Sequence, residues 1–128
     1  LGFSGDFGGA WFLTHLVGPS RALELLVTNE PVTAAAAADL GLVNRVVPDA
    51  EFADAWMAWA QELAGGPTGA FRGMKANVRD ALRLGLADAL PRETARMSAS
   101  ASTADHREAR RAWLEKRPPE FHRPTGSG

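Results

Sequence analysis

The residues best suited to chemistry form a glycine-rich stretch near the start of the sequence, Gly5-Asp6-Phe7-Gly8-Gly9, directly before an apolar segment. Backbone N–H groups at a helix N-terminus favour negative charge, so a loop of this kind can bind or stabilise an anion. Glycine lets the backbone approach a ligand closely. A carboxylate flanked by Phe3 and Phe7 would suit proton transfer if it were buried. The other interpretation is that Asp6 only caps the helix.

A second candidate pair, Trp113 and Lys116, lies near the end of the sequence, three residues apart on a predicted helix. Side chains at this spacing share a helix face, which places an aromatic plane beside an ammonium group. An adenine ring and a phosphate would suit that pair. The alternative is that Trp113 packs in a core or an interface while Lys116 is solvated.

The remaining charged and nucleophilic residues favour no site. A basic ridge on one predicted helix is explained by solvation opposite an apolar stripe, although ligand binding stays open. The three histidines lack the spacing of metal ligands, and the chain has no cysteine. We therefore predict no metal site. The ridge consists of Arg72, Lys75, Arg79 and Arg83, and the histidines are His15, His106 and His122.

Composition limits the classes of protein to which the chain can belong. It has 128 residues, 45% of them hydrophobic, and a formal net charge of -1. This charge predicts no bulk attraction to nucleic acid or to an anionic membrane. No apolar run is long enough for a membrane span, and no signal peptide is recognisable. The absence of cysteine fits a reducing compartment, so a cytoplasmic protein is expected.

The periodicity predicts helices separated by glycine and proline, with one strand. Thr33 and Thr103 are predicted N-caps, with Asp105 as an alternative to Thr103, and Gly41 is predicted to be a left-handed helix end. Asp105 and Glu108 have the spacing of a reciprocal capping pattern, with aspartate in place of serine or threonine. The β-branched run 42–47 predicts the strand. Pro91 either starts a second helix or kinks the first. The predicted helices are Ala10–Val17, Arg21–Val27, Ala34–Ala38, Glu51–Ala64, a strongly amphipathic segment with Phe71, Met74, Val78 and Leu82 on one face, Leu86–Ser102, and Thr103–Lys116.

Taken in order, these segments resemble the crotonase superfamily of enoyl-CoA hydratases and isomerases over nearly the full length. The glycine stretch resembles the family's glycine-pair loop. Lys75 sits where the family commonly has a lysine. The remaining segments that carry the resemblance are Leu13-Thr14, Leu16-Val17-Gly18, Glu24–Thr28, Ala38, Gly41–Pro48, Asp105, Glu108, Ala112, Trp113, Glu115–Pro118 and Phe121, with tryptophan at 113 where phenylalanine is usual.

The resemblance implies a mainly α chain with one or two short strands, the C-terminal part of a β-β-α spiral fold plus its helical trimerisation region. Residues 1–64 would end the core, 65–121 would be the oligomerisation region, and 122–128 a disordered tail. It also implies a homo-oligomer, a trimer or hexamer, when full length. Because the chain opens at Leu1 inside an apolar stretch, we expect it to be truncated.

The resemblance further implies an acyl-CoA substrate, with coenzyme A as part of the substrate and no permanently bound cofactor. Both oxyanion-hole donors would precede this chain, so the isolated chain is expected to be inactive. The function that the resemblance implies is hydration of 2-enoyl-CoA in fatty acid oxidation. Asp6 matches the position of an aspartate in dienoyl-CoA isomerases, so isomerisation of an enoyl- or dienoyl-CoA with Asp6 as the proton-transfer residue is an alternative. A non-catalytic helical assembly module is the competing hypothesis. Gly5, Gly8 and Gly9 would line the substrate pocket. Trp113 and Lys116 match positions that meet the adenine and phosphate end of coenzyme A.

Overall fold

A computed structural model describes residues 4–121 of the chain. Within that range the structure has seven α-helices and one short 3₁₀-helix, Asp49–Glu51, and it contains no β-strand. The mainly helical class is confirmed. The predicted tail 122–128 lies outside the described residues. The helices are α1 Gly9–Val17, α2 Pro19–Thr28, α3 Ala34–Asp39, α4 Phe52–Ala64, α5 Thr68–Ala81, α6 Leu86–Ala101 and α7 Ala104–Glu115.

The chain divides into two compact units, residues 1–52 and 53–128. In the first unit α1 packs against α2, and Gly18, at a φ of 79°, makes the sharp connection between them. Ala22 of α2 is the buried hydrophobic residue of this unit among residues 4–52, with 1% of its surface exposed. The boundary predicted between residues 64 and 65, which separates a family core from an oligomerisation region, stays a prediction.

Local signals set both ends of α3. The Thr33 side chain accepts a hydrogen bond from Ala36 N at 3.2 Å, as its N-cap position predicts. Gly41 has a φ of 77°, which confirms the predicted left-handed helix end. Leu42 N and Gly41 N donate to Ala37 O and Ala38 O at 2.8 and 2.9 Å, the paired bonds of a Schellman motif.

The strand predicted over residues 42–47 is wrong. The segment is irregular backbone, and within residues 4–121 no other segment pairs with it as a strand. A strand is defined by hydrogen bonds to a neighbouring strand, and β-branched composition does not supply that neighbour. Val43 and Val46 of this segment remain 43% and 46% exposed.

In the second unit α5 packs against α6, and α6 contacts α7. Arg96 of α6 joins α6 to α5 by donating to Asn77 Oδ1 at 2.7 Å and to Asp80 Oδ2 at 2.6 Å. Its hydrogen bond lowers the pKa of Asp80. Helix α6 runs through Pro91 without interruption, so Pro91 does not start a second helix.

Large apolar side chains stay accessible in both units. Helix α1 carries no Asp, Glu, Lys or Arg, yet its Trp11 and Phe12 are 48% and 58% exposed. On the predicted apolar face of α5, Met74 and Val78 are 58% and 63% exposed. Among the described residues, the hydrophobic side chains counted as buried are only Ala22 and Ala112. Burial of apolar side chains within one copy of this chain therefore contributes little to holding the helices in place.

Candidate functional site

The glycine-rich loop before α1 has an unusual backbone. Gly5, Phe7 and Gly8 all have positive φ values, of 104°, 47° and 82°. Gly9 N donates to Asp6 O at 2.9 Å, which closes a turn directly before the helix. Left-handed conformation is readily adopted by glycine and is costly for a bulky residue such as Phe7. The conformation of the loop therefore depends on the left-handed glycines Gly5 and Gly8, and it places the backbone of Phe7 in an unfavourable region.

Asp6 does not cap α1. Gly8 occupies the N-cap position, and no side chain accepts a hydrogen bond there. The Asp6 side chain is exposed, and the structure gives it no hydrogen bond or ion pair within residues 4–121. The capping interpretation is thus excluded. The Asp6 carboxylate was expected to suit proton transfer if Phe3 and Phe7 buried it. Phe7 is 97% exposed and does not bury it, and Phe3 lies outside the described residues.

The three glycines of the loop differ in what they permit. A Cβ on Gly8 would lie 3.3 Å from the Phe12 ring, whereas nothing lies within 4 Å of a Cβ on Gly5 or Gly9. Gly8 is therefore favoured by its φ, and a Cβ there would also require the exposed Phe12 ring to shift by a few tenths of an ångström. Gly5 is required by its φ alone, and the space beside Gly9 is open to a ligand.

Two aromatic contacts on α1 were not predicted from the sequence. The His15 ring stacks on Trp11 with centroids 3.9 Å apart, and Trp11 meets Phe12 edge to face at 5.1 Å. His15 Nδ1 lies 2.8 Å from Trp11 O, and since a carbonyl only accepts, Nδ1 carries the proton. The spacing of four residues between Trp11 and His15 was the signal that could have revealed the pair. These contacts fix the orientation of the His15 ring.

The second candidate pair lies at the C-terminal end of α7. Helix α7 ends at Glu115, one residue earlier than predicted, and Lys116 follows with a left-handed φ of 54°. Arg117 N and Lys116 N donate to Ala112 O and Trp113 O at 3.0 and 3.3 Å. These bonds again form a Schellman motif, with lysine at the position that usually holds glycine.

Neither side chain of this pair is engaged by the described chain. Trp113 is 78% exposed, so it is not a core residue of the unit. Lys116 is exposed and has no hydrogen-bond or ion-pair partner within residues 4–121. Because Lys116 lies in the turn beyond the helix, the predicted sharing of one helix face does not describe the pair. Both side chains remain accessible to a ligand or to another chain.

A cluster of charges surrounds the turn that contains Lys116. Arg117 donates from Nη1 to Glu108 Oε1 at 2.7 Å, from Nε to Glu115 Oε2 at 2.6 Å, and from Nη1 to Pro118 O at 3.0 Å. Glu120 N donates to the same Glu108 oxygen at 3.1 Å. The Arg117 hydrogen bond, followed by that from Glu120 N, lowers the pKa of Glu108 from 4.5 to about 2. In turn, Glu108 and Glu115 raise the pKa of Arg117.

At the start of α7, one capping prediction is wrong and another is confirmed. Glu108 does not complete a reciprocal capping pattern with Asp105, because its carboxylate is bound to Arg117 instead. The cap of α7 is Thr103, whose Oγ1 accepts from His106 N at 3.1 Å. A local signal therefore predicted the start of α7 correctly, while a contact nine residues apart decides what Glu108 does.

Other surfaces give no further candidate of comparable definition. The basic ridge Arg72, Lys75, Arg79 and Arg83 is exposed throughout. Over residues 4–121 no three His, Asp or Glu side chains are grouped so that they could hold a metal ion. In the same range, every helix is too short or too polar to cross a membrane.

Comparison with known proteins shows the family to which this chain belongs. The family model described as enoyl-CoA hydratase/isomerase matches residues 1–124. A Rhodobacter capsulatus protein named "Probable enoyl-CoA hydratase" is 40% identical over 94% of this chain and 47% of its own length. The 1,2-epoxyphenylacetyl-CoA isomerase of Escherichia coli is 32% identical over 94% of this chain and 46% of its own length.

Solved structures agree with the sequence matches. An enoyl-CoA hydratase structure from Geobacillus kaustophilus superposes with a TM-score of 0.86 at 37% identity, covering 91% of this chain and 46% of that chain. The chain thus spans about half the length of these relatives.

Proposed function

Because this chain belongs to the enoyl-CoA hydratase/isomerase family, we propose that the protein that carries it hydrates 2-enoyl-CoA thioesters in fatty acid oxidation. The observation that carries this proposal is the 40% identity, over 94% of the chain, to a protein named as an enoyl-CoA hydratase. The resemblance in the glycine loop and the closing segment points the same way.

In the proposed reaction water adds across the double bond, with its oxygen going to C3 and a proton to C2 of the acyl group. Charge develops on the thioester oxygen, and two backbone N–H groups stabilise it in family members. We assign both of those donors to the part of the fold that precedes this chain. This chain contributes the loop 5–9, whose glycines leave room for the substrate at Gly5 and Gly9.

Isomerisation of an enoyl- or dienoyl-CoA is the second candidate function, and Asp6 favours it. Moving a double bond requires a proton to leave one carbon and another to arrive at a neighbouring carbon, and one carboxylate can do both. The Asp6 carboxylate is free for this role, because it is exposed and does not cap α1. A relative named 1,2-epoxyphenylacetyl-CoA isomerase, which is also a coenzyme A thioester isomerase by name, matches 94% of the chain.

We assign Trp113 and Lys116 to the coenzyme A moiety. Trp113 offers an exposed indole face to the adenine, and the Lys116 ammonium, which has no ion-pair partner within residues 4–121, offers a charge to a phosphate. Coenzyme A enters as part of the substrate. The exposed apolar faces of α5 and α6 support a homo-oligomer, trimer or hexamer, as part of this proposal.

The test follows the ultraviolet absorbance of a short 2-enoyl-CoA after addition of the product of the complete reading frame that encodes these residues. Loss of the enoyl absorbance with a 3-hydroxyacyl-CoA product supports hydration, and a positional isomer supports isomerisation. The isolated 128-residue chain is the control and should give neither. Activity of the isolated chain would contradict the assignment of the oxyanion donors to an upstream segment.

A further inference from the structure

The backbone at Lys116 is strained, and something must hold it. A non-glycine residue is less stable in the left-handed region than in helical conformation. The paired hydrogen bonds to Ala112 O and Trp113 O form equally well with glycine, which is the usual residue at this position. The helix end therefore gains nothing from lysine here, and the side chain is the part that differs from the usual residue.

The residue directly after Lys116 is the most heavily bonded side chain of this turn. Arg117 contacts one carboxylate within α7 and another at the helix end, Glu108 and Glu115, at 2.7 and 2.6 Å. It also donates to Pro118 O at 3.0 Å, and Glu120 N binds Glu108 from the other side at 3.1 Å. Lys116 thus lies between a helix and a segment that is tied back onto the helix at several points.

We propose that Arg117 is a positioning residue, which holds Lys116 in its left-handed conformation through Glu108 and so aims the Lys116 ammonium at the phosphate end of coenzyme A. The inference depends on the proposed coenzyme A contact of Lys116. Arg117 is bound through Nε and Nη1 to Glu108, Glu115 and Pro118, and we assign it no contact of its own with the ligand.

The second unit supplies a matched control in Arg96. Like Arg117, Arg96 forms a short charged hydrogen bond to a carboxylate, at 2.6 Å to Asp80, and it is similarly exposed, at 30% against 35%. Its bonds join α5 to α6 and do not involve the turn at Lys116. Loss of a structural arginine in general can therefore be separated from loss of this turn.

The experiment measures the Kd of free coenzyme A by calorimetry, with the product of the complete reading frame and its variants. Lys116→Asn removes the ammonium and keeps a residue that tolerates left-handed backbone, and it should weaken binding about tenfold. Arg117→Gln and Glu108→Gln should each weaken binding severalfold. Arg96→Gln should leave the Kd unchanged. Thermal denaturation of each variant checks that it is folded.

The decisive variant combines Lys116→Asn with Arg117→Gln. If Arg117 acts through Lys116, the double variant binds coenzyme A no more weakly than Lys116→Asn alone. Additive losses would overturn the positioning role, and so would an unchanged Kd in Arg117→Gln. An unchanged Kd in Lys116→Asn would instead contradict the proposed coenzyme A contact itself, so the two failures are distinguishable.

Discussion

The two candidate groups lie beside left-handed backbone, but they are held in opposite ways. At the start of α1, Phe7 and Gly8 are left-handed, and the Asp6 side chain is bound to nothing within the described residues. At the end of α7, Lys116 is left-handed, and the next residue, Arg117, forms ion pairs with Glu108 and Glu115. The first geometry depends on glycine in the backbone and the second on a network of ion pairs.

This difference matches what each group would have to do. A proton-transferring carboxylate must reach the reacting carbons, and hydrogen bonds that fixed it elsewhere would have to break first. A lysine that meets a phosphate benefits from being aimed in advance, because less side-chain freedom is then lost on binding. We therefore expect substitutions in the two regions to affect different measured quantities.

The largest effect is expected at Asp6. Asp6→Asn should lower kcat by about 10²- to 10⁴-fold in an isomerase assay, the usual contribution of a general acid–base residue. Thermal stability should not change, because Asp6 caps nothing. Asp39→Asn, which removes another exposed carboxylate of the same unit, should leave kcat unchanged. Equal kcat values for Asp6→Asn and the unmodified protein would remove Asp6 from the mechanism.

The next effect concerns the glycine-dependent backbone. Gly8→Ala should destabilise the protein by about 1–2 kcal/mol, the cost of placing a Cβ in the left-handed region. The new Cβ would also lie 3.3 Å from the Phe12 ring. Gly9→Ala is the control, since nothing lies within 4 Å of its Cβ and its φ is not positive. Chemical denaturation compares the two, and equal midpoints would contradict the role given to Gly8.

A smaller loss is expected at the start of α7, where a side chain provides the cap that α1 lacks. Thr103→Ala removes the acceptor for His106 N and should cost about 1 kcal/mol. Thr103→Ser keeps the oxygen and should recover most of that stability. A serine variant as unstable as the alanine variant would show that the methyl group, and not the cap, matters.

The smallest effect is a pH dependence at the end of α7. Because the pKa of Glu108 is lowered to about 2, its contribution to stability is complete above its ordinary value of 4.5 and is lost as the pH falls through about 2. Denaturation midpoints of the unmodified protein and of Glu108→Gln should differ by a constant amount above about pH 5 and converge toward pH 2. A difference that grows on acidification would contradict the ion pair.

Helix ends set by local residues could be read from the sequence. Thr33, Thr103 and Gly41 act through neighbours within four residues, and all three predictions are confirmed. The strand over 42–47 failed because a strand depends on a partner that composition does not reveal. The β-branched residues of this segment favour strand conformation, but whether a strand forms depends on packing against neighbouring strands.

The residues of the candidate site were proposed from the sequence and stay a prediction, whereas their backbone geometry could not be proposed. The glycine loop and the closing pair were identified by type and spacing. The left-handed backbone of Phe7 and Lys116 opposes the preference of both residues, so no propensity could predict it. The bond from Arg117 to Glu108 spans nine residues across a helix end, where the spacing rules for helical pairs no longer apply.

The most direct test of the account is a comparison of kcat and KM for Asp6→Asn and Lys116→Asn in the isomerisation of the same enoyl- or dienoyl-CoA, using the product of the complete reading frame. The account predicts that Asp6→Asn lowers kcat with KM nearly unchanged, and that Lys116→Asn raises KM with kcat nearly unchanged. The reverse pattern, or the same pattern in both variants, would contradict the separation of proton transfer at the glycine loop from coenzyme A binding at the end of α7.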